Sequence, residues 1–138
     1  PHLQKRGGDF MPHGPQFRGD IIIVDESNPA MAATPQNWKI KDEWYIFKNF
    51  NKKNIRVLAL LDPGLVRRSQ EKYDLPNYPI TWVSTHGKGR IYYNAQGHRE
   101  EGWTDEDFQK TVNAAAVWAM GEGPAQAKPN YKKALRKK

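Results

Sequence analysis

Short apolar and β-branched runs recur through the first two thirds of the chain and predict strands. Residues 20–25 form a β-branched run bounded by acidic residues, which is typical of a strand. Residues 55–61 are apolar at nearly every position, which predicts a strand covered on both faces. Residues 80–85 and 90–95 flank a glycine-bearing tetrapeptide, and this pattern predicts a β-hairpin.

The C-terminal third contains one stretch with the periodicity of an amphipathic helix. Thr104 is a candidate N-cap, three acidic residues follow it where the helix dipole is positive, and Gly121 is a stop signal. The apolar stripe is rich in alanine, which favours close packing on a sheet. Its members are Phe108, Val112, Ala115, Ala116 and Ala119.

The remaining segments are predicted to be irregular, apart from an aromatic segment at 42–47 that is predicted to be extended. Glycine, proline and charged residues dominate the first twenty positions and indicate a loop that turns twice. Residues 66–78 are polar and contain proline, which predicts a surface excursion. We therefore assign residues 1–124 to a folded portion and 125–138 to a flexible basic tail.

The predicted strands outnumber the helices that could cover them. Three or four strands are predicted, one of them requiring cover on both faces, but only one helix is strong enough to cover a sheet. The sequence therefore predicts that the sheet is completed either by residues outside this chain or by a partner chain.

Charge and composition exclude several classes of function. Six of the 22 basic residues lie in residues 125–138, where there is no acid, so the rest of the chain carries 16 basic and 15 acidic residues. A nearly neutral body with a basic end does not predict nucleic-acid binding. There is no cysteine, hence no disulfide or thiolate site in this chain, and no apolar run approaches the ~18 residues of a membrane span.

The segment 97–101 combines a titratable ring with carboxylates. His98 and Glu100 are two residues apart, between a predicted strand and the predicted helix, where α/β sheets place ligands. A carboxylate there can orient an imidazole that serves as acid or base. We expect His98 to face a solvent-reachable pocket, with Glu100 or Glu43 within hydrogen-bond range of it or one water away. The alternative is that His98 caps the strand end and Arg99 pairs with a nearby acid.

A second candidate is the acidic pair Asp42 and Glu43 beside the aromatic residues Trp44 and Tyr45. Carboxylates accept from sugar hydroxyls and aromatic rings offer a flat apolar face, so Asp42, Glu43 and Tyr45 are predicted to bind substrate. The alternative is an ordinary pair of solubilising acids. His13 lies in a loop fixed by glycine and proline, where a side chain can be aimed at a ligand.

Four of these side chains, His13, His98, Glu43 and Glu100, are of the types that bind metals. No close H-x-H or H-E-x-x-H spacing joins them. The sequence therefore predicts no metal site and identifies no cofactor.

Several motifs together resemble the closing half of ThuA-like (trehalose-utilisation-like) proteins. They cover most of the chain, in order and with sensible spacing. The motifs are Gly7-Gly8-Asp9-Phe10 with His13-Gly14, Glu43-Trp44-Tyr45, Tyr78-Pro79-Ile80-Thr81-Trp82-Val83, His86-Gly87-Lys88-Gly89-Arg90, Gly97-His98-Arg99-Glu100 and Trp118-Ala119-Met120-Gly121.

The resemblance implies a flavodoxin-like sheet of the class I glutamine amidotransferase type, present here as an incomplete C-terminal portion. By analogy with amidotransferases, His98 and Glu100 match the His and Glu of a catalytic triad, while the nucleophile elbow would lie upstream. The chain departs from many relatives at Asn28-Pro29, where they carry His-Pro.

The resemblance further implies a role in the utilisation of trehalose or a related glycoside, with a sugar as ligand and His98 and Glu100 in the pocket. The alternatives are a non-catalytic module that binds a glycan or a protein, and a subunit docked by its basic tail. The compartment is open, with a slight preference from the resemblance for a periplasmic or secreted protein.

Overall fold

The computed structural model describes residues 9–137, in which strands predominate. Seven strands alternate with short 3-10 turns, and a long helix and a one-turn helix follow them. The strands are β1 (Asp9–Met11), β2 (Phe17–Ile23), β3 (Lys39–Asp42), β4 (Ile46–Lys48), β5 (Arg56–Asp62), β6 (Tyr78–His86) and β7 (Gly89–Asn94). The helices are α1 (Glu106–Ala119) and α2 (Tyr131–Ala134), and the 3-10 turns span Pro29–Met31, Gly64–Arg68, Glu71–Tyr73 and Glu100–Thr104.

Five strands form one sheet in the order β3-β2-β5-β6-β7, and β1 pairs with β4 in a small second sheet. The prediction of a mixed α/β fold is confirmed. The predicted flavodoxin-like sheet is not, because every strand pair in residues 9–137 is antiparallel. Parallel neighbours need a long crossover, usually a helix, and these strands are joined without an α-helix.

The predicted hairpin is confirmed. Strands β6 and β7 pair from Thr81 opposite Asn94 to His86 opposite Gly89. A two-residue turn joins them, and Gly87 adopts a φ of +59° there, a conformation that glycine reaches without a steric penalty.

Strand β5 is the centre of the core, as its apolar run predicts. None of residues 57–61 is more than 1% exposed, and since successive side chains point to opposite faces, both faces are covered. On neighbouring β6, Trp82 stacks on Tyr93 at 4.2 Å and contacts Phe47 and Phe50. Strand β5 was predicted to need residues outside this chain to bury both of its faces. Within the described residues, other parts of the chain already bury both faces.

The predicted long helix is confirmed, with a different cap. Asp105, not Thr104, is the N-cap, and its carboxylate accepts from the Phe108 backbone N–H at 2.8 Å. Thr104 instead ends the preceding 3-10 turn. The helix buries Phe108 and Trp118 and packs against β7 and Pro29–Met31.

Part of the predicted flexible tail, residues 125–138, contacts the sheet around the short helix α2. The Asn130 side chain bonds both the N–H and the C=O of Val57, at 2.7 and 2.9 Å. Arg56 donates to the Lys128 carbonyl at 3.1 Å, and Ala134 is 2% exposed. The docking has a physical reason: pairing of β2 with β5 ends at Ala59, so Asn130 can satisfy the Val57 backbone.

The predicted N-terminal loop also contains more structure than its composition indicates. Asp9–Met11 pairs with Ile46–Lys48, a partner far along the chain, and β2 already begins at Phe17. The predicted turn at Gly7 and Gly8 lies outside the described residues. None of the helices in residues 9–137 has the length and apolar character needed to cross a membrane.

Candidate functional site

Two histidines and a glutamate from distant parts of the chain meet at one end of the sheet. His13 follows β1, Glu43 follows β3 and His98 follows β7. The Glu43 Oε2 atom lies 2.9 Å from His98 Nε2 and 3.5 Å from His13 Nε2. The side chains of His13, Glu43 and His98 are 33%, 18% and 36% exposed, so a ligand in solution can reach them. We call these three residues the histidine–glutamate cluster.

The buried Asp42 side chain connects the segments that carry Glu43 and His98. One of its carboxylate oxygens accepts from the Glu43 N–H at 2.8 Å and the other from the Gly97 N–H at 2.7 Å. The alternation along β3 turns Asp42 inward, and it is 1% exposed. Predicted to bind substrate, Asp42 therefore lies behind the site, where it fixes the positions of Glu43 and His98.

The buried Tyr73 connects the loop that carries His13 to the segment that carries Glu43. The Tyr73 hydroxyl accepts from the Gly14 N–H at 2.9 Å and donates to the Trp44 carbonyl at 3.2 Å. A Cβ at Gly14 would lie 2.6 Å from the Tyr73 ring, so only glycine permits this approach. The loop that carries His13 is thereby fixed against the segment that carries Glu43.

Gly97 sets the direction in which His98 leaves the sheet. Its φ is +90°, and a Cβ there would lie 2.9 Å from the Phe108 ring. Its carbonyl accepts from the indole N–H of Trp103 at 3.0 Å. The chain therefore turns tightly over the start of α1 and presents His98 toward Glu43.

The outer ring nitrogens of both histidines have partners. His13 Nδ1 lies 2.8 Å from the Gly14 carbonyl oxygen, which only accepts, so Nδ1 carries a hydrogen and Nε2 faces the cluster. His98 Nδ1 is hydrogen-bonded to the Tyr45 hydroxyl. Burial raises the pKa of that hydroxyl, and the Asp42 and Glu43 carboxylates raise it further, so the phenol keeps its proton at neutral pH.

The cluster has the donor set of a metal centre. One ligand atom each from His13, Glu43 and His98 can be chosen so that all lie within 4.8 Å of one another. Two imidazoles and one carboxylate bind catalytic zinc, which keeps a fourth position open, and the same set binds iron in non-haem oxygenases. The prediction of no metal site rested on short sequence spacings, whereas this cluster is assembled by three segments far apart in the chain.

Of the two carboxylates expected within reach of His98, Glu43 is the one that contacts it. Within the described residues Glu100 makes no hydrogen bond to His98, which pairs with Glu43 instead. Glu100 is exposed and, with His98, Arg99 and Glu101, lines a cleft of about 290 Å³. The Glu101 carboxylate accepts from Arg99 at 2.9 Å, and this bond lowers the pKa of Glu101 and raises that of Arg99.

Arg99 links the cleft to the cluster. Its guanidinium lies 3.9 Å from the Glu43 carboxylate. The amide oxygen of Gln16, in the orientation that pairs donors with acceptors, accepts from Arg99 Nη1 at 2.8 Å and from Nε at 3.1 Å. Sequence reasoning singled out the segment 97–101, which includes Gly97, but did not identify Gln16 or Tyr73 as part of the site.

The fold and the site together define a mixed α/β protein with a solvent-reachable histidine–glutamate centre at a strand end. The family model described as ThuA, trehalose utilisation, matches residues 3–119, and the chain belongs to this family. Comparison with the curated proteins gave no match.

A crystal structure of a ThuA-like protein from Bacteroides uniformis has a similar fold. It is 19% identical in sequence with a TM-score of 0.65, and the match covers 91% of this chain and 52% of the other. The chain thus spans about half the length of that relative.

Proposed function

We propose that this protein acts on a sugar or glycoside at a divalent-metal site formed by His13, Glu43 and His98. The observation that carries the proposal is the convergence of their ligand atoms within 4.8 Å, with both outer ring nitrogens held by hydrogen bonds. Such outer partners orient metal-binding histidines in known sites. Membership of a family described by trehalose utilisation supports the sugar as ligand.

The surrounding groups suit a polar, hydroxyl-rich ligand. A bound zinc ion would act as a Lewis acid or activate a water molecule. Around it, the Arg99 guanidinium and the exposed Glu100 line the adjacent cleft and offer a donor and an acceptor to hydroxyl groups. Tyr45 contributes a phenol beside His98.

A second candidate uses the same residues without metal. The 2.9 Å contact between His98 Nε2 and Glu43 Oε2 is the geometry of a carboxylate that orients an imidazole acting as general acid or base. This function needs His98 and Glu43, while His13 would be dispensable and a chelator would have no effect.

Zinc titration of the metal-free protein by calorimetry separates the two candidates. We expect one equivalent to bind, and His98→Ala or His13→Ala to weaken binding by more than about 100-fold, since even outer partners of a metal site contribute ~10–100-fold. His86→Ala is the matched control, because His86 is exposed in the β6–β7 hairpin away from the cluster. Unchanged zinc affinity in His98→Ala and His13→Ala would contradict the metal site.

The sugar is tested separately, by incubating the zinc-loaded protein with trehalose and related glycosides and following sugar release or binding. Activity removed by a chelator and restored by zinc supports the metal-dependent function. Activity that persists in chelator and in His13→Ala, but not in His98→Ala, supports the metal-free pair.

We also propose that the chain is the C-terminal portion of a longer flavodoxin-like domain. The 52% share of the Bacteroides uniformis structure supports this, and α/β sheets often carry antiparallel strands at the edge of a parallel sheet. The intact mass of the natural protein tests it: a mass equal to that of residues 1–138 would contradict the proposal.

A further inference from the structure

For the neutral form of His98, the surrounding hydrogen bonds fix which ring nitrogen carries the hydrogen when no metal is bound. A neutral imidazole carries one N–H, on either nitrogen. The Glu43 carboxylate, 2.9 Å from Nε2, only accepts when ionised, so Nε2 carries the hydrogen. His98 Nδ1 therefore accepts from the Tyr45 hydroxyl, so the phenol hydrogen points at His98 and not at a ligand.

A metal ion on Nε2 reverses this arrangement. A metal ion held by Nε2 would use its lone pair, so the hydrogen of the neutral ring would be on Nδ1. If the Tyr45 contact is kept, that Nδ1–H would donate to the Tyr45 oxygen. The Tyr45 O–H can no longer point at His98 and must find another acceptor.

We propose that metal binding at His98 converts the Tyr45 hydroxyl into a hydrogen-bond donor for the ligand held at the metal. The proposal rests on the proposed metal site and deepens it by adding a ligand-binding residue. Among the described residues, the only hydrogen bond of the Tyr45 hydroxyl is the one to His98. A freed O–H therefore meets solvent or ligand rather than another side chain.

The Tyr45 ring is held where this can happen. Phe10 contacts it edge-on with centroids 5.0 Å apart, and the His98 ring lies edge-on from it at 5.4 Å. The His13 ring is 6.0 Å away, so the phenol lies beside both rings proposed to hold the metal. A ligand that presents one oxygen to the metal and an acceptor oxygen beside it, as neighbouring hydroxyls of a sugar do, matches this pair of contacts.

Nitrogen-15 NMR of histidine-labelled protein tests the reversal directly, because the two ring nitrogens have distinct shifts with and without hydrogen. At a pH where the ring is neutral, we expect His98 to carry its hydrogen on Nε2 in the metal-free protein and on Nδ1 in the zinc-loaded protein. His86, exposed in the hairpin, is the internal control and should not change.

Ligand affinity tests the consequence, with acetohydroxamate as an oxygen-donor probe of the zinc-loaded protein. Tyr45→Phe removes the outer partner of His98, so zinc affinity should fall about 10–100-fold. At saturating zinc the variant should still bind acetohydroxamate about 10-fold more weakly than the unmodified protein, the loss of one hydrogen bond of ~1–1.5 kcal/mol. Tyr131→Phe is the matched control, since Tyr131 begins α2 and packs against Phe50.

Each outcome decides a separate point. If zinc binds but His98 keeps its hydrogen on Nε2, or if Tyr45→Phe binds acetohydroxamate as well as the unmodified protein, the role of Tyr45 is wrong while a metal site remains. If zinc does not bind, the proposed metal site and the role of Tyr45 both fail.

Discussion

At the scale of single residues, the geometry of the histidine–glutamate cluster depends on groups that never face the ligand. Asp42 is fully engaged by two backbone N–H groups from different segments. Because it is 1% exposed, these bonds are shielded from water, and losing one leaves a buried donor unpaired. The positions of Glu43 and His98 therefore depend on Asp42, which is buried behind them.

Replacing Asp42 with asparagine should loosen the cluster. An amide keeps one acceptor oxygen and presents an NH₂ group to the other backbone N–H, so the bond to Glu43 or to Gly97 is lost. We expect the free energy of unfolding to fall by about 1–3 kcal/mol and zinc affinity to fall about 10-fold, as measured by denaturant titration and calorimetry.

The matched control is Asp20→Asn, since Asp20 forms an exposed ion pair with Lys39 worth ~0–1 kcal/mol. Equal effects of the two substitutions would show that Asp42 does not organise the site.

Gly97→Ala should damage both stability and the site. Its φ of +90° disfavours any side chain, and the new Cβ would press on the Phe108 ring at 2.9 Å. We expect a loss of about 2–4 kcal/mol in denaturant unfolding, the strain of the backbone plus overpacking. Gly87→Ala has a similar positive φ of +59° but open space around it, so it should lose about 1–2 kcal/mol and leave zinc binding intact.

Residue types alone indicated much of the site and offered two carboxylates, Glu43 and Glu100, as partners of His98. His98, Glu43, Tyr45 and His13 were each singled out, and the structure brings them together. Glu100 was named as the catalytic partner because it is close to His98 in sequence, yet a 3-10 turn begins at Glu100 and leaves its side chain exposed. The actual partner, Glu43, arrives through the strand order of the sheet, which local spacing does not encode.

At the scale of elements, local patterns predicted those whose partners are local. The β6–β7 hairpin and helix α1 have their signals within about twenty residues. The segment predicted as one extended run at 42–47 is divided, because β3 ends at Asp42 and β4 begins at Ile46 in the other sheet. Between them Trp44 is buried, with its indole N–H bonded to the Phe17 carbonyl at 3.0 Å, while Glu43 and Tyr45 lie at the site.

The docking of α2 on β5 is testable through one side chain. Asn130→Ala removes both bonds to the Val57 backbone and leaves buried groups of a core strand without partners. We expect a loss of about 1–3 kcal/mol in unfolding free energy. Lys132→Ala, an exposed neighbour in the same short helix, should change it by less than about 0.5 kcal/mol; a similarly small effect of Asn130→Ala would indicate that the segment is not docked.

At the scale of the whole molecule, a single core joins the N-terminal strands, the sheet and the C-terminal segment. Buried residues of this core range from Phe17 on β2 to Ala134 on α2. The charge pattern of residues 125–138 predicted a solvated tail, because a basic run without acids is typical of one. The contacts that dock it come from Asn130, Tyr131 and Ala134, three uncharged residues among the lysines, and no charge pattern reports them.

Truncation tests this view of the whole chain. Residues 1–138 should unfold in one cooperative transition, because β5 is buried on both faces by contacts within the described residues. Ending the chain at Pro124 removes the Asn130 bonds and the Tyr131 contact with Phe50 and exposes part of β5. We expect the truncated chain to melt roughly 5–15 °C lower, since ~1 kcal/mol shifts the midpoint of a domain of this size by a few degrees.

Calorimetry of both chains gives the comparison, with Lys132→Ala and Lys133→Ala together in the full chain as the control for lost charge. A truncated chain that melts with the full one would return residues 125–138 to the status of a loose tail, and a broad, non-cooperative transition of residues 1–138 would show that its core needs further cover.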